Sequence, residues 1–205
     1  MSVSVIVLAA GKGTRMNSEL PKVLHKVLGK SLLSHALDTL SFSDNKLVVV
    51  GHGADLVIDS LPPSIKNILQ KDQLGTGHAV STVINSEVFK KSKSEFTIVV
   101  PGDVPGIKDG DIELLINEVK TISAPVGFLT ALVEDPFGYG RIVKNNEEIK
   151  IVEEKDCSED ERAINEINSG IYCFKTEFLI ENIDNLNTQN AQGEFYLTDL
   201  IGIAN

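Results

Sequence analysis

Cysteine is scarce in this 205-residue chain, which has only Cys157 and Cys173. Two cysteines are too few for a disulfide framework or a thiolate zinc site, and their spacing excludes a CxxC redox pair. The four histidines are likewise too scattered along the sequence to suggest a metal centre. We therefore expect a protein of the reducing cytoplasm whose fold depends on neither disulfides nor zinc.

Positive charge is also in short supply, with 19 basic against 29 acidic residues and a net charge of −10 at pH 7. A surface of this sign is poorly suited to following a nucleic-acid backbone, so nucleic acid is not expected as a partner. A smaller polyanion such as a nucleotide needs its charge met locally, by a few Lys or Arg residues, backbone amides and a metal ion. For a nucleotide ligand, the basic residues should therefore be concentrated in one loop.

Long apolar runs are missing as well, and none approaches the roughly 20 residues that cross a bilayer, so no membrane partner is expected. The apolar start, residues 3–10, lacks a basic segment before it and continues into GKGTR, which favours a buried strand over a signal peptide. No Pro/Gly/Ser-rich linker divides the chain. We expect one domain, residues 1–205, large enough to bury a core.

The hydrophobic pattern predicts an alternation of strands and helices. Predicted strands cover residues 3–8, 47–50, 65–69, 96–100 and 126–133, and predicted helices cover residues 32–40, 55–61, 76–87 and 110–122. The strands are continuous apolar runs, typical of a sheet covered by helices on both faces. Shorter segments follow at 141–143, 149–152 and 167–174. The prediction is an α/β fold: a doubly wound, mostly parallel, Rossmann-like sheet with a small mixed or antiparallel lobe, and ligands at the carboxyl ends of its strands.

The loop after the first strand reads LAAGKGTRM and contains the expected basic cluster, Lys12, Arg15 and Lys22. Gly11 and Gly13 allow the backbone to bend and to approach an anion without a Cβ atom in the way. Arg15 can offer a fork to two phosphate oxygens, whereas Lys22 is a movable point charge. A bare GxG sequence is more typical of an ordinary strand-to-helix turn, but the addition of Arg15, Pro21 and Lys22 favours a triphosphate-binding loop.

Two commoner nucleotide motifs are excluded. A dinucleotide fingerprint needs a third glycine at position 16, where the chain has Met16. The GKS sequence at residues 29–31 resembles the end of a Walker A loop, but the earlier glycine that this loop requires falls on Leu24.

Pro101, Gly102 and Asp103 directly follow a predicted strand, which places a carboxylate at the strand's carboxyl end. Mg²⁺ usually takes one or two carboxylates together with substrate phosphates, and Asp103 suits that role. The alternative is a turn or N-cap aspartate, since Asp is common in such positions.

A third candidate site is QLGTGHA, residues 73–79, with Gln70 just before it. Gly75 permits close backbone approach, Thr76 is a candidate cap for the following helix, and the Gln70 amide can read the edge of a base. The alternative is a plain loop followed by a capped helix.

Taken together, these motifs resemble those of the sugar-1-phosphate nucleotidyltransferases. LAAGKGTRM followed by PK is similar to the signature of that family. The phrases LPKVLH, QLGTGHA, GDVP, GYGRIV, IVEEKD, EINSGIY and AQGEFYLTD resemble the N-terminal uridyltransferase domain of bifunctional N-acetylglucosamine-1-phosphate uridyltransferase/glucosamine-1-phosphate acetyltransferases. The matches are in order and extend along nearly the whole chain.

The resemblance implies an activity: transfer of UMP from UTP to N-acetylglucosamine-1-phosphate, giving UDP-N-acetylglucosamine and pyrophosphate with Mg²⁺ as cofactor. It also implies roles for individual residues. The catalytic residues are Arg15, Lys22 and Asp103, with Asp103 as the metal ligand. The residues that contact substrate are Leu8, Ala9, Ala10, Gly11, Gln70, Gly75, Thr76, Gly102, Gly140, Glu153 and Asn168.

The sequence departs from the family pattern in two places. Pro101 stands where the family often has an aromatic residue before the Gly-Asp pair. In addition, the family completes its metal site with an asparagine beyond the region that this sequence covers. We expect a domain truncated at Asn205, within a helix, without the acetyltransferase β-helix through which the full-length protein is expected to form a homotrimer.

Two alternatives stay open at this stage. The glycine loop and Asp103 fit other base and sugar pairs equally well, such as a glucose-1-phosphate thymidylyltransferase or a cytidylyltransferase acting on a polyol phosphate. A catalytically silent nucleotide-sugar-binding module on the same fold is the second alternative, because one fold hosts many functions.

Overall fold

The computed structural model describes residues 2–13, 16, 18–43, 45–92, 94–145 and 148–205. The strands are β1 (Val3–Ala9), β2 (Lys26–Val27), β3 (Lys30–Ser31), β4 (Asn45–Val50), β5 (Lys66–Leu69), β6 (Phe96–Pro101), β7 (Val126–Leu132), β8 (Arg141–Asn145), β9 (Glu148–Val152) and β10 (Glu166–Lys175). The α-helices are α1 (Leu32–Thr39), α2 (Ala54–Ser60), α3 (Thr76–Ile84), α4 (Glu87–Lys90), α5 (Asp109–Thr121), α6 (Glu159–Arg162), α7 (Thr176–Asn182) and α8 (Asp199–Ala204). Short 3-10 turns cover Lys22–Leu24 and Ile183–Asn185.

Within the described ranges, eight strands form one sheet in the order β5-β4-β1-β6-β10-β8-β9, with β7 beside β10. The first four strands are parallel. Successive β1 side chains serve opposite faces: Ile6 lies in a core with Val80 of α3, whereas Val5 and Val7 lie in a core with Ile112 of α5. Burial on both faces explains the continuous apolar runs, and the predicted α/β fold class is confirmed.

The long strand β10 joins the two halves of the sheet. It runs antiparallel to β7 along both of its halves. Its second half is also antiparallel to β6, and its first half pairs with β8, which in turn pairs with β9. The predicted antiparallel lobe is therefore a continuation of the main sheet. The β10–β7 register shifts between Asn168 and Tyr172, where Gly170 has φ +80°. A Cβ atom at Gly170 would lie 2.9 Å from Cγ of Pro101, so the proline packs against a glycine that cannot be enlarged.

Several short elements escaped the sequence reasoning. The helix predicted over residues 76–87 ends at Ile84, and the Ser86 hydroxyl caps a separate helix, α4, by accepting from the Phe89 N–H. The polar stretch before residue 162 contains α6, which begins with a capping box between Ser158 and Glu161. Among the described residues no helix is both long and apolar enough to span a membrane.

Candidate nucleotide and sugar site

The candidate residues of the chain's first half follow the carboxyl ends of parallel strands. The glycine loop follows β1, Gln70 follows β5, and Asp103 follows β6. Because parallel strands end at one edge of the sheet, these loops share that edge, as predicted. β10 extends past Pro101 at the end of β6, and it carries β8 and β9 beyond the edge.

The end of β1 is held in place by its backbone. Leu8 accepts a hydrogen bond from the Gly102 N–H (2.9 Å), and Ala10 accepts one from the His52 N–H (3.0 Å). Ala9 and Ala10 are buried. The strand end is therefore rigid and places the loop that starts at Gly11 at the open edge.

The two glycines of the loop differ in their surroundings. Gly13 has φ +59°, and a Cβ atom there would lie 2.7 Å from the Lys22 Cβ. Gly11 has an ordinary φ, and no atom of the described residues lies within 4 Å of such a Cβ. Gly13 thus lets the loop pack on Lys22, whereas the folded chain does not itself require glycine at position 11. Arg15 lies outside the described residues.

Lys22 and Asp103 meet at this edge, where the Lys22 Nζ forms an ion pair with Oδ2 of Asp103. Both side chains are partly exposed, at 38% and 22%. Pro21, the residue before Lys22, packs tightly against Gly53. A Cβ on Gly53 would lie 2.5 Å from Cγ of Pro21, so this contact helps to position the neighbouring Lys22 backbone. The structure thereby brings together two of the three residues predicted to be catalytic.

Asp103 offers a carboxylate to a divalent ion at this edge. Within the described part of the chain, no cluster of three or more His, Cys, Asp or Glu residues could hold a metal. One carboxylate nevertheless fits an Mg²⁺ ion that arrives with a triphosphate, because such ions take few protein ligands and complete their shell with phosphates and water.

Gln70 is buried, with 3% of its surface exposed. Its Nε2 donates to the Gly75 carbonyl (3.1 Å) and to Nδ1 of His78 (3.0 Å). Both amide hydrogens are thus used to brace the loop, so the carbonyl oxygen is the group through which Gln70 can contact a ligand.

The expectation that Thr76 caps its helix is wrong. Gly75, with φ +106°, occupies the N-cap position, and Thr76 is the first helical residue. The Thr76 hydroxyl accepts from the Leu197 N–H (3.1 Å). A Cβ on Gly75 would lie 2.5 Å from the Phe195 carbonyl oxygen, so no residue other than glycine fits there.

The three residues predicted to contact the sugar lie together at the base of the β8–β9 extension. Asn168 donates its backbone N–H to the Gly140 carbonyl (2.8 Å). A Cβ on Gly140 would lie 3.5 Å from both Oε2 of Glu153 and Cβ of Asn168. Gly140, Glu153 and Asn168 are therefore neighbours, and their contacts with a sugar stay a prediction.

Sequence reasoning noted AQGEFYLTD as a family phrase but gave no role to residues 190–198, which we call the C-terminal strap. At one end Phe195 exchanges backbone hydrogen bonds with the segment around Gly75, donating to the Leu74 carbonyl and accepting from the Gly77 N–H (2.8 Å each). At the other end the Thr198 hydroxyl donates to Oε1 of Glu153 (3.3 Å). These contacts join residues far apart in sequence, so no local pattern indicates them.

Burial is the main cause that raises the pKa of Glu153 above its ordinary value of 4.5. The Thr198 hydrogen bond acts in the opposite direction and lowers the pKa, while nearby Asp156, Asp199 and Glu194 raise it. The Thr198 hydroxyl thus orients the half-buried carboxylate and offsets part of the effect of burial on its pKa.

Comparison with known proteins agrees with this geometry. The model of the MobA-like NTP transferase domain matches residues 5–141. The chain belongs to this family. A curated MobA-like relative, the bifunctional protein GlmU of Clostridium beijerinckii, is 48% identical over 202 residues, which cover 97% of this chain and 44% of the relative. The chain matches only the N-terminal part of such relatives.

Two solved structures share the fold of this MobA-like domain at low sequence identity. A Bacillus anthracis protein described as a glucose-1-phosphate thymidylyltransferase, in complex with sucrose, has a TM-score of 0.76 at 21% identity, covering 97% of this chain and 81% of that protein. A UDP-glucose pyrophosphorylase in complex with UDP-glucose has a TM-score of 0.74 at 19% identity, covering 98% and 86%. NTP transferases of this type generally use a divalent metal ion.

Proposed function

We propose that this domain transfers UMP from UTP to N-acetylglucosamine-1-phosphate, giving UDP-N-acetylglucosamine, a cell-envelope precursor, and pyrophosphate. The observation that carries the proposal is the contact between Lys22 and Asp103 at the sheet edge, beside the glycine loop. A cation for phosphates and a carboxylate for a metal ion are the two groups that phosphoryl chemistry needs side by side. The similarity to bifunctional GlmU proteins supports this choice of substrates.

The reaction is an in-line displacement at the α-phosphorus of UTP. A phosphate oxygen of the sugar phosphate forms the new P–O bond, and the bond from the α-phosphorus to the bridging oxygen breaks as pyrophosphate leaves. Since the nucleophile is already an anion, the chain needs no general base. The obstacles are repulsion between anions and their alignment.

Lys22 is proposed to reduce the repulsion between the anionic substrates, together with Arg15. Their positive charges stabilise the triphosphate, the transition state and the departing pyrophosphate. Gly11 supports this assignment, because a side chain in the open space around it would compete with phosphate. Leu8, Ala9, Ala10 and Gly102 hold this edge through backbone packing.

Mg²⁺ is the proposed cofactor, and Asp103 is its proposed protein ligand. When bound there, the ion would neutralise phosphate charge and hold the two phosphates in register.

Base recognition is proposed to use the Gln70 carbonyl oxygen. An acceptor matches the N3–H of uracil, whereas cytosine has an acceptor at the same position. Gly75 and Thr76, braced against the strap, form the other side of this subsite. The arrangement favours an imide base but does not separate uracil from thymine.

The sugar subsite is proposed to comprise Gly140, Glu153 and Asn168. Glu153 can accept hydrogen bonds from sugar hydroxyls, and Gly140 is its direct neighbour, which supports placing both in one subsite. Asn168 is partly committed, since its Nδ2 donates to the Tyr172 hydroxyl (2.6 Å) and its Oδ1 accepts from the Gly170 N–H. Its proposed role is thus to shape the pocket as well as to contact the sugar.

Pyrophosphate release from the full-length protein tests the proposal. UTP, dTTP and CTP would each be combined with N-acetylglucosamine-1-phosphate, glucose-1-phosphate and a polyol phosphate, with and without Mg²⁺. We expect turnover chiefly with UTP and N-acetylglucosamine-1-phosphate, and only with the divalent ion present. A clear preference for another pair would overturn the proposed specificity.

A silent binding module is the remaining alternative. Calorimetry separates it from the enzyme, because a silent module would bind UDP-N-acetylglucosamine without turnover under every substrate combination. We further propose a cytoplasmic location, which suits the two buried free thiols, and a homotrimer assembled through a further domain of the full-length protein.

A further inference from the structure

Arg141 is the largest fully buried side chain of the described residues, with 1% of its surface exposed. One guanidinium nitrogen lies 2.7 Å from Oε2 of Glu154, and the other terminal nitrogen donates to the Tyr139 carbonyl. Its Nε has no hydrogen-bond partner in the described part of the chain. A buried ion pair seldom stabilises a fold more than apolar packing does, so its place next to the sugar residues requires another explanation.

The ion pair stands directly behind the proposed sugar subsite. Arg141 is the first residue of β8 and pairs with Val152, the last residue of β9. Gly140 and Glu153 therefore meet just beyond the end of the ladder. Glu153 and Glu154 follow the end of β9, where the chain enters a turn, and their side chains have different neighbours. Glu153 lies beside Gly140, and Glu154 lies beside Arg141.

Glu154 also holds the turn that presents Gly140. Its Oε2 accepts the Gly138 N–H at 2.9 Å, in addition to Arg141. The Gly138 and Arg141 hydrogen bonds lower the pKa of Glu154, so it stays ionised at neutral pH. The turn over residues 136–140 is thus fastened at Gly138 through Glu154 and at Tyr139 through Arg141.

We propose that Arg141 is a positioning residue for the sugar subsite: together with Glu154 it fixes the turn that carries Gly140 against the Glu153 carboxylate. The proposal rests on the function proposed above. Gly140 is closely surrounded, because a Cβ there would lie 3.1 Å from Cγ2 of Ile151 and in van der Waals contact, at 3.5 Å, with Oε2 of Glu153. A shift of about 1 Å in a substrate-positioning group can reduce rates by up to ~100-fold.

The experiment compares R141K, R141M and the double variant R141M/E154M of the full-length protein. The double variant removes both charges, so it does not leave the partly exposed Glu154 carboxylate without its cationic partner. We expect R141M to lower the melting temperature and the double variant to recover part of the loss. In both variants the KM for the sugar phosphate should stay at least ~10-fold raised, with the KM for UTP within about twofold of wild type. R141K, which keeps the charge but not the fork, should have an intermediate KM.

Calorimetry supplies a second readout, since UTP lacks the sugar and UDP-N-acetylglucosamine carries it. The two R141M variants should lose affinity for the UDP-sugar and keep affinity for UTP. The matched control is R162M, because Arg162 is half exposed and lies 3.8 Å from the other oxygen of Glu154. It should behave as wild type in both assays.

A folded double variant with the wild-type KM for sugar phosphate would overturn the positioning role, as would equal losses for UTP and UDP-sugar. If R141M does not fold, R141K and the double variant decide by the same criteria. An inactive wild-type protein would instead refute the proposed function, so the two failures are distinguishable.

Discussion

The Lys22 ammonium group forms an ion pair with the Asp103 carboxylate, across the gap between the loop after β1 and the end of β6. Each side chain thereby neutralises the charge of the other in the absence of a ligand. Under the proposed function, a triphosphate carrying a divalent ion would supply both partners at once, phosphate oxygens for Lys22 and the metal for Asp103. The pair would then favour binding of the metal-nucleotide complex over binding of either component alone.

The first prediction concerns this pair. Lys22→Ala and Asp103→Asn should each lower turnover of the full-length protein by at least ~100-fold, the usual scale for losing one electrostatic stabiliser of the transition state. Pyrophosphate release at saturating substrates measures it. Asp103→Asn should also shift the Mg²⁺ titration to higher concentration.

The matched control is Lys30→Ala. Lys30 pairs with Asp38 at 2.8 Å, but both side chains are 61% exposed and lie outside the candidate site. Turnover of this variant should match wild type. Near-normal turnover of Lys22→Ala or Asp103→Asn would remove the assigned role.

The second prediction separates the two loop glycines. Gly11→Ala should melt at the wild-type temperature yet bind UTP poorly, because its methyl group enters open space that we assign to phosphate. Gly13→Ala should destabilise the fold by at least about 1 kcal/mol, since Ala is disfavoured at positive φ and would also meet Lys22. Thermal melts and UTP titrations measure both effects.

Gly110→Ala controls for the substitution itself. Gly110 is exposed in the first turn of α5 and has no close neighbour, so alanine should keep UTP affinity and leave stability equal or slightly higher. Unchanged UTP affinity in Gly11→Ala would refute the phosphate assignment.

Local chemistry explains which parts of this architecture the sequence could predict. The apolar strands around Ile6 and Val99 depend on nearest-neighbour pattern, and so does the position of Asp103 after a strand; all are where the pattern predicts. The capping prediction for Thr76 was wrong because its hydroxyl has a distant partner. The hydroxyl accepts from the Leu197 N–H and not from an N–H of its own helix.

Contacts between residues far apart in sequence could not be predicted from local patterns. Arg141 and Glu154 stand in separate short polar phrases, and nothing local distinguishes them from solvated charges until the β8–β9 ladder brings them together. The strap is a similar case, since its contacts at Thr198 and Phe195 reach residues about 45 and 120 positions away. The family resemblance supplied Glu153 and Asn168, which no physical pattern singled out.

The third prediction concerns the loss of stability that ionisation of Glu153 causes. Burial raises its folded-state pKa above 4.5, so its contribution to stability is fully present below pH 4.5 and is lost as pH rises through the folded pKa. At neutral pH the ionised group therefore weakens the fold. Glu153→Gln should melt higher than wild type at pH 7, and the difference should shrink as pH approaches 4.5.

The same variant should bind the sugar phosphate ~10–100-fold more weakly, because hydrogen bonds to a charged group contribute about 1.5–3 kcal/mol. Glu177→Gln on α7, outside the site, is the control and should alter neither quantity. Tighter or unchanged sugar binding by Glu153→Gln would contradict the role given to its carboxylate.

The fourth prediction uses Thr198, whose hydroxyl lowers the Glu153 pKa against the burial that raises it. In Thr198→Val that hydrogen bond is gone, so the pKa of Glu153 rises further and the carboxylate protonates at a higher pH. The acidic limb of the pH profile of kcat/KM for sugar phosphate should move to higher pH, while the UTP profile stays in place.

Thr198→Ser keeps the hydroxyl and should return the acidic limb to its wild-type position. Thr39→Val, which removes a hydroxyl bonded only to a helix carbonyl, should leave both profiles unchanged. A purely structural effect of Thr198→Val would lower both profiles without moving either limb, and that result would exclude a link between the strap and the sugar carboxylate.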